Sequence, residues 1–248
     1  MLGAKTARIT GQVSSDSDAA LHLTGRVDFE TGNAELHIPF SDLLAGIPLS
    51  GQVTVRLVGD AVYADLHALY GLAGTAPSGL EGQRWLQVDD FAIPISTPPL
   101  QGLLAAGGPG TLVEVLRGAT TCARVGTDTV DGVQATHYRG TASARRGLTG
   151  APETRRRSLE PRLARVSGRI TFDVWIDERG RVRKLAMNAS ATIPGTGSVI
   201  AFKLRLRFSA FGVAVGVVAP PPGETLGAVP TPPPAEPAIP PPTIAQPE

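Results

Sequence analysis

The sequence predicts an α+β fold whose main element is an antiparallel sheet. Short runs of alternating apolar and polar residues, broken by turn residues, fill the first ninety residues and are typical of an antiparallel meander. Apolar residues change to a helical spacing between 99 and 118, and alternating runs resume after them. A chain of 248 residues with this pattern is expected to form one sheet domain.

Six strands are predicted in the first ninety residues, and they share one apolar side. In the second strand, Leu21, Leu23 and Val27 point to one face while polar residues occupy the other. Thr31-Gly32-Asn33 and Gly59-Asp60 have the composition of turns. The strands are predicted near residues 7–14, 20–30, 34–40, 51–59, 61–67 and 84–89.

A short covering helix is predicted within PLQGLLAAGGPGTLVEVLRG, residues 99–118. Leu112 and Leu116 have a helical spacing, and a glycine-rich segment that contains Leu103 and Leu104 precedes them. We expect this segment to cover part of the sheet, with its glycines acting as a lid or hinge.

Two hairpins are predicted in the second half of the chain. Asp131-Gly132 is a strong hairpin signal between the predicted strands 122–126 and 136–142. In FDVWIDERGRVRKLAMNASA, residues 172–191, two alternating runs are joined at Gly180, which supplies the positive φ of a short loop. Both hairpins extend the antiparallel sheet.

The C-terminal part of the sequence changes composition after the last predicted strand, at 199–209. From Ala219 the chain is too rich in proline for a helix or a central strand. We therefore expect a domain of residues 1–218 followed by a mostly disordered, polyproline-like tail at 219–248.

Residues 145–169 form a basic segment in a nearly neutral chain, which has 23 Lys and Arg against 22 Asp and Glu. The segment carries eight arginines against two glutamates, and Arg155, Arg156 and Arg157 are candidates for contact with anionic lipid headgroups. The near-neutral chain and the lack of aromatic residues within the segment argue against nucleic acid as a partner. The alternative is a solvated surface, which charge runs commonly form.

The sequence offers few groups for catalysis. Cys122 is the single cysteine, so no internal disulfide is expected, and it would have to meet His137 across the predicted hairpin to form a nucleophile and base pair. We favour the alternative, a small half-buried thiol and a surface histidine on a strand. His22 and His37 lack a third ligand at metal spacing. We therefore expect no catalytic residue, no metal and no cofactor.

The sequence contains no hydrophobic signal segment and no apolar run long enough for a transmembrane helix. The first predicted strand begins almost directly after Met1. We therefore expect either a cytosolic protein or an exported one whose upstream leader is absent from this sequence.

Four segments resemble the actinobacterial LppX/LprA/LprF/LprG lipoproteins, whose domain is similar to the lipoprotein carriers LolA and LolB. Their order and spacing fit the family across nearly the whole chain up to the tail, and none is a catalytic signature. The segments are AKTARITGQV at 4–13, GTDTVDGVQATHYRGTAS at 126–143, FDVWIDERGRVRKLAM at 172–187 and LRFSAFGVAVGVVAPPPGETL at 206–226.

The resemblance implies a strongly curved antiparallel half-barrel, with helices that cover its concave side and enclose an apolar cavity. It also implies a non-enzymatic function, in which acyl chains of lipids or glycolipids are bound and moved in the cell envelope. The location would be the outer face of the plasma membrane or a periplasm-like space, given a missing export signal. Members of the family carry a leader that ends in a lipid-modified cysteine and then a first helix, whereas this sequence begins almost at the first strand.

The expected partners are lipid acyl chains, an anionic membrane surface and a membrane transporter, and we expect a monomer. The larger apolar face and the covering segment are predicted to line the cavity. The predicted lining residues are Leu23, Val27, Leu36, Ile38, Val53, Val55, Leu57, Leu103, Leu104, Leu112, Leu116, Phe172, Val174 and Ile176.

A lid over this cavity is predicted in the basic segment. Leu159, Leu163 and Val166 have a helical spacing, so an apolar stripe would sit on the cavity mouth while the arginines project outward. Pro161 is expected to begin a short, separable helix.

The alternative function is a structural or interaction module. Its core would be filled by its own side chains, and the proline-rich tail would recruit a partner. A carbon-lined void of roughly several hundred Å³ favours ligand binding, whereas a filled core favours the module.

Overall fold

A twelve-stranded sheet is the main element of the computed structural model, counted within the described residues 4–15, 20–43, 50–73, 82–88, 97–151, 153–193 and 195–227. The strands are β1 (Thr6–Ser14), β2 (Ala20–Asp28), β3 (Ala34–Pro39), β4 (Gln52–Val58), β5 (Ala61–Asp65), β6 (Trp85–Val88), β7 (Ala119–Val130), β8 (Val133–Ala142), β9 (Val166–Asp177), β10 (Val182–Thr192), β11 (Val199–Ser209) and β12 (Thr225–Leu226). The helices are α1 (Phe40–Leu43), α2 (His67–Ala73), α3 (Pro98–Ala105), α4 (Gly108–Val115), α5 (Ala144–Thr149) and α6 (Glu153–Leu163).

The sheet is open. Its strand order is β12-β6-β5-β4-β3-β2-β1-β11-β10-β9-β8-β7, and neighbours are antiparallel except for β12, which runs parallel to β6. Within the described residues, β7 and β12 lie at the two ends and do not pair with each other. The predicted α+β fold on an antiparallel sheet is confirmed.

The hairpin between β7 and β8 forms where the sequence predicts it. Val130 pairs with Val133, and Asp131 and Gly132 take φ angles of 49° and 76° in the two-residue loop between them. β7 is much longer than the predicted strand 122–126. It is an edge strand exposed along nearly its whole length, so its polar and small residues show no buried apolar alternation.

Alternate residues of β1, β2, β3, β4 and β11 pack into the main hydrophobic core. Leu36 on β3 and Leu204 on β11 are fully buried, and the rings of Phe29 and Phe208 lie with their centroids 5.8 Å apart. This burial follows the period-two alternation read from the sequence.

Helices α3 and α4 lie against this apolar face. A β-carbon at Gly102 on α3 would come within 2.8 Å of the Phe202 ring, and one at Gly110 on α4 within 3.0 Å of the Val27 side chain. The glycines therefore allow a close approach of helix to sheet. The predicted single helix is in fact two, because Gly107 takes a left-handed φ of 79° between them.

Gly25 marks a close approach of two strand backbones. A β-carbon there would lie 2.0 Å from the carbonyl oxygen of Glu35 on the neighbouring strand β3. No side chain fits at this distance, and neighbouring backbone cannot move aside without breaking the ladder.

The segment after β11 runs along the sheet toward its other edge. The hydroxyl of Thr6 on β1 donates to the carbonyl of Val213 (2.7 Å), and the Asn33 amide donates to the carbonyl of Val217 (3.2 Å). The backbone N–H of Arg84 then donates to the carbonyl of Glu224 (2.8 Å), just before β12 pairs with β6. Residues 219–227, predicted as the start of the tail, thus contact the sheet edge, while 228–248 lie outside the described residues. The division into residues 1–218 and 219–248 stays a prediction.

Helix α6 covers most of the segment predicted as a lid. It begins at Glu153, and Pro161 lies in its last turn rather than at its start. A proline in the final turn removes a single intrahelical hydrogen bond. The helix therefore continues through Pro161 and ends two residues later, at Leu163. Among the described helices, none combines the length and apolar character needed to cross a membrane.

Candidate functional site

An apolar pocket of about 260 Å³ lies over β8, β9 and β10. Its wall is completed by the end of α4, the 3₁₀ turn Leu116–Gly118 and the start of β7. The lining residues are Val113, Leu116, Arg117, Ala119, Cys122, Tyr138, Phe172, Val174, Ile176 and Val182. Nearly all of this lining is carbon, so the pocket favours a hydrocarbon group.

The register of the three strands places the pocket side chains side by side. Tyr138 on β8 lies opposite Val174 on β9, and Ile176 on β9 lies opposite Val182 on β10. Phe172 lies opposite Gly140, where a β-carbon would come within 2.8 Å of its ring. The missing side chain at Gly140 therefore leaves room for the ring of Phe172.

Arg117 is the charged residue of the pocket lining, and its charge is balanced locally. Its Nε donates to Oε2 of Glu114 at 2.5 Å, and the Glu114 side chain is fully buried. A buried carboxylate beside a guanidinium forms a neutral pair, so the border of the pocket carries little net charge.

The hairpin loop next to the pocket is held by Asp177. Its carboxylate accepts hydrogen bonds from the backbone N–H groups of Arg179 and Arg181 and from the Nε atoms of Arg181 and Arg183. Burial alone would raise the pKa of Asp177, but the hydrogen bonds from Arg181 and Arg183 hold this pKa below its usual value. The loop that joins Ile176 to Val182 is thereby fixed.

Four of the predicted lining residues border the pocket: Leu116, Phe172, Val174 and Ile176. The other ten are buried in the core at 3 % exposure or less. They pack against other side chains of the sheet and of α3 and α4 in the main hydrophobic core. These ten residues are Leu23, Val27, Leu36, Ile38, Val53, Val55, Leu57, Leu103, Leu104 and Leu112.

The pocket also has six lining residues that were not predicted from the sequence: Val113, Arg117, Ala119, Cys122, Tyr138 and Val182. Tyr138 and Val182 lie on predicted strands, where Tyr138 pairs with Val174 and Val182 pairs with Ile176, so cross-strand pairing would have identified them. Cys122 lies on an exposed edge strand, where the sequence shows no apolar alternation.

Cys122 and His137 do not come together. Cys122 borders the pocket with Tyr138, whereas His137 points to the opposite face of β8, where its Nε2 lies 2.6 Å from Oδ1 of Asp173. The His137 ring also stacks on Trp175, with centroids 4.2 Å apart. Among the described residues, no group of three His, Cys, Asp or Glu side chains is arranged to hold a metal ion.

The predicted headgroup residues Arg155, Arg156 and Arg157 lie on α6. Arg156 forms an ion pair with Glu153 at 2.7 Å, and the Arg157 side chain is exposed; the Arg155 side chain lies outside the described residues. No described residue of α6 borders the pocket. The predicted apolar stripe packs into the core instead, with Leu159 and Leu163 at 1 % and 2 % exposure.

The expectation that all arginines of this segment project outward is wrong for Arg162. Its side chain is 2 % exposed, donates to the carbonyl of Gly59, and lies 3.5 Å from Asp60. The β4–β5 turn supplies these acceptors, and its position beside α6 is not encoded in the local charge pattern.

Comparison with solved structures finds two mycobacterial lipoproteins. LppX of Mycobacterium tuberculosis is 15% identical, with a TM-score of 0.41, and the match covers 87% of this chain and 91% of that chain. LprF of Mycobacterium bovis is 14% identical, with a TM-score of 0.42, and the match covers 88% of this chain and 90% of that one. A LolA superfamily protein of Nitrosomonas europaea is 7% identical, with a TM-score of 0.28, over 83% of this chain and 84% of that chain.

The chain is thus similar to lipoproteins of the kind that its four sequence segments resemble, and the predicted resemblance is confirmed. No family model matches the sequence, and no curated protein matches it. These structures assign no role to the residues that line the pocket.

Proposed function

We propose that this protein is a non-enzymatic lipid carrier of the cell envelope, and that the apolar pocket over β8, β9 and β10 binds an acyl chain of a lipid or glycolipid. In this proposal the sheet is a curved half-barrel, and its pocket holds hydrocarbon without performing chemistry. A membrane surface and a membrane transporter would supply or receive the lipid.

The carbon lining of the pocket carries the proposal. An engineered apolar cavity of about 150 Å³ binds benzene, so a pocket of about 260 Å³ has room for roughly ten carbons. Burial of each methylene contributes about 0.8 kcal/mol, which is about fourfold in affinity. A carrier with this pocket needs neither a nucleophile nor a metal.

Cys122 provides a direct test, because it borders the pocket, is exposed, and is the single cysteine of the chain. Its rate of reaction with a thiol-reactive dye is measured in the presence of saturated fatty acids of increasing length. We expect protection to strengthen about fourfold per methylene and to level off near ten carbons, when the pocket is full.

The matched control moves the reporter to the other face of the sheet. In a Cys122→Ser variant that also carries Val199→Cys, the new thiol replaces an exposed side chain on β11 that does not border the pocket. Its reaction rate should not respond to fatty acids. Equal protection of both thiols, or no dependence on chain length at Cys122, would refute acyl binding in the pocket.

The proposal also assigns anionic headgroup contact to Arg155, Arg156 and Arg157. Each cation near an anionic leaflet contributes about 1 kcal/mol, and Arg156 contributes less because of its ion pair with Glu153. Changing all three to Gln should weaken co-sedimentation with phosphatidylglycerol vesicles about tenfold or more. Unchanged binding at low salt would make this stretch an ordinary solvated surface.

An interaction module is the second candidate, and the filled core beneath α3 and α4 favours it. In that case the small pocket is a surface depression, and a partner is recruited elsewhere. Mass spectrometry of the purified protein separates the two candidates. Bound lipid in equimolar amount supports the carrier, and its absence, together with no protection of Cys122, supports the module.

A further inference from the structure

The face of the sheet opposite the pocket carries a broad array of cations. On β11, the buried side chains alternate with the exposed Lys203, Arg205 and Arg207. We call the array on β10, β11, β1 and β2 the basic sheet face. Its members are Arg8, Arg26, Lys184, Lys203, Arg205 and Arg207.

Two pairs of like charges face each other across neighbouring strands. Lys184 on β10 lies directly opposite Arg207 on β11, and Arg8 on β1 lies directly opposite Arg26 on β2. Like charges in directly opposite positions destabilise a sheet. An anionic partner would remove this repulsion.

Neighbouring groups neutralise the array only in part. Arg207 pairs with Asp131 at 2.5 Å, and Arg26 pairs with Glu35 at 2.7 Å. The Lys184 ammonium lies 4.1 Å from the Trp175 ring centroid, which leaves its charge in place. Arg8 and Arg205 form no ion pair with any residue that the structure describes.

A polar groove of about 460 Å³ lies between these cations. Thr10, Gln12 and Thr24 contribute hydroxyl and amide groups to it, and Lys184, Arg205 and Arg207 contribute charge. Such a groove is suited to the phosphate and hydroxyl groups of a lipid headgroup.

We propose that the basic sheet face docks the protein on an anionic bilayer surface. This docking is independent of the pocket, because the two sites lie on opposite faces of the sheet. The docked protein therefore keeps the pocket free for a ligand.

The shape and composition of the face favour a bilayer over nucleic acid. The four strands, over the five residues from Lys203 to Arg207, span roughly 14 Å by 13 Å, which is a broad area rather than an element that projects into a duplex groove. The outward residues of these strands include no Phe, Tyr or Trp side chain on which single-stranded bases could stack. Attraction is then mainly electrostatic and sensitive to salt.

The test is co-sedimentation of the full chain with vesicles of equal parts phosphatidylcholine and phosphatidylglycerol. A variant with Arg8→Gln, Arg205→Gln and Arg207→Gln should bind on the order of a hundredfold more weakly, at roughly fivefold per cation. Wild-type binding should be lost in about 1 M NaCl, where the Debye length is about 3 Å, and on pure phosphatidylcholine.

The matched control removes the same charge elsewhere. Lys5→Gln, Arg124→Gln and Arg179→Gln change three exposed cations outside the basic sheet face, and binding should fall much less. The proposal is overturned if both triple variants lose binding equally, if the first binds like wild type, or if a DNA duplex binds wild type as tightly as the vesicles do. Glycerol phosphate at millimolar concentration should not displace the protein, and displacement would indicate a site for a free anion.

A second variant changes binding in the other direction. Asp131→Asn removes the carboxylate partner of Arg207 and keeps a residue that tolerates the positive φ at this turn. It should bind anionic vesicles a few-fold more tightly, with unchanged protection of Cys122 by fatty acids. Weaker or equal vesicle binding would contradict the proposal, whereas a change confined to Cys122 protection would concern the pocket alone.

Discussion

The apolar face of the sheet is covered by helices over one region and borders an open pocket over another, although both regions have the same period-two apolar alternation. Over β11, β1, β2, β3 and β4, and over the part of β10 that follows Val182, helices α3 and α4 pack onto the apolar side chains and bury them. Over β8, β9 and the start of β10 there is a pocket instead, because α4 ends at Val115 and the following 3₁₀ turn only borders this part of the sheet. We call these the filled region and the pocket region.

The difference shows that alternation identifies an apolar face but not its use. In the filled region, glycines on the helices let them approach the sheet closely enough to exclude a ligand. In the pocket region, the chain turns outward into the exposed edge strand β7, so hydrocarbon from outside can replace the missing contacts.

The largest effect is expected from a β-carbon in the filled region. Gly25→Ala should reduce the free energy of unfolding by about 3 kcal/mol or more, because the new atom would overlap the carbonyl of Glu35. Gly126→Ala on the edge strand β7 is the matched change, with no atom within 4 Å, and should alter stability by less than about 1 kcal/mol. Urea unfolding measures both, and equal effects would mean that the strands of the filled region do not approach closely.

The same leucine truncation should have opposite consequences in the two regions. Leu103→Ala empties a fully buried site and should cost about 3 kcal/mol of stability, with little effect on ligand affinity. Leu116→Ala, at the half-buried pocket border, should cost about 1 kcal/mol and weaken protection of Cys122 by a ten-carbon fatty acid several-fold. If Leu103→Ala reduced affinity more than Leu116→Ala, the ligand would bind beneath α3 instead.

Acid should destabilise the strands of both regions, through one arginine-bound carboxylate in each set of strands. Burial would raise the pKa of Glu35, but hydrogen bonds from Arg56 and Arg26 lower it, and the pKa of Asp177 is lowered in the same way. A pKa lowered by folding contributes stability above its unfolded value, near 4, and this stability is lost as the pH falls through the folded pKa.

Asp177→Asn and Glu35→Gln should therefore each destabilise the protein by about 2 kcal/mol at neutral pH and approach wild type in acid. Urea unfolding at a series of pH values checks this. Asp177→Asn alone should weaken ligand binding, because Asp177 fixes the loop between Ile176 and Val182. Stability differences that persist unchanged at low pH would contradict the role of the two carboxylates.

The smallest effect is expected from shortening the C-terminus, which tests whether residues beyond the sheet contribute to either region. A chain that ends at residue 227 should match the full chain in stability and in ligand protection of Cys122. A chain that ends at Val218 loses the β12–β6 pairing and the hydrogen bond from Arg84 to Glu224, and should lose about 1 kcal/mol of stability with unchanged ligand affinity. Loss of affinity in either chain would place part of the site in the C-terminal segment.

The sequence was sufficient to predict the strands, the hairpins and the apolar face, because these depend on neighbours close in the chain. Asp131 and Gly132 specify a hairpin by their own backbone preferences, and Phe172, Val174 and Ile176 share a face through the geometry of one strand. β7 was predicted too short, because an edge strand with both faces in solvent needs no apolar residues.

The extent to which the apolar face is covered was decided by tertiary structure. Leu103 and Leu116 come from the same predicted covering segment, yet Leu103 is buried against the sheet and Leu116 borders a pocket. The reason is that Leu103 lies within α3, whereas Leu116 lies in the 3₁₀ turn that follows α4. Arg162 and Arg157 lie in the same basic stretch, yet the β4–β5 turn buries one and leaves the other exposed. The sequence by itself determined which residues are apolar and how they alternate, and packing between distant segments determined which of them remain available to a ligand.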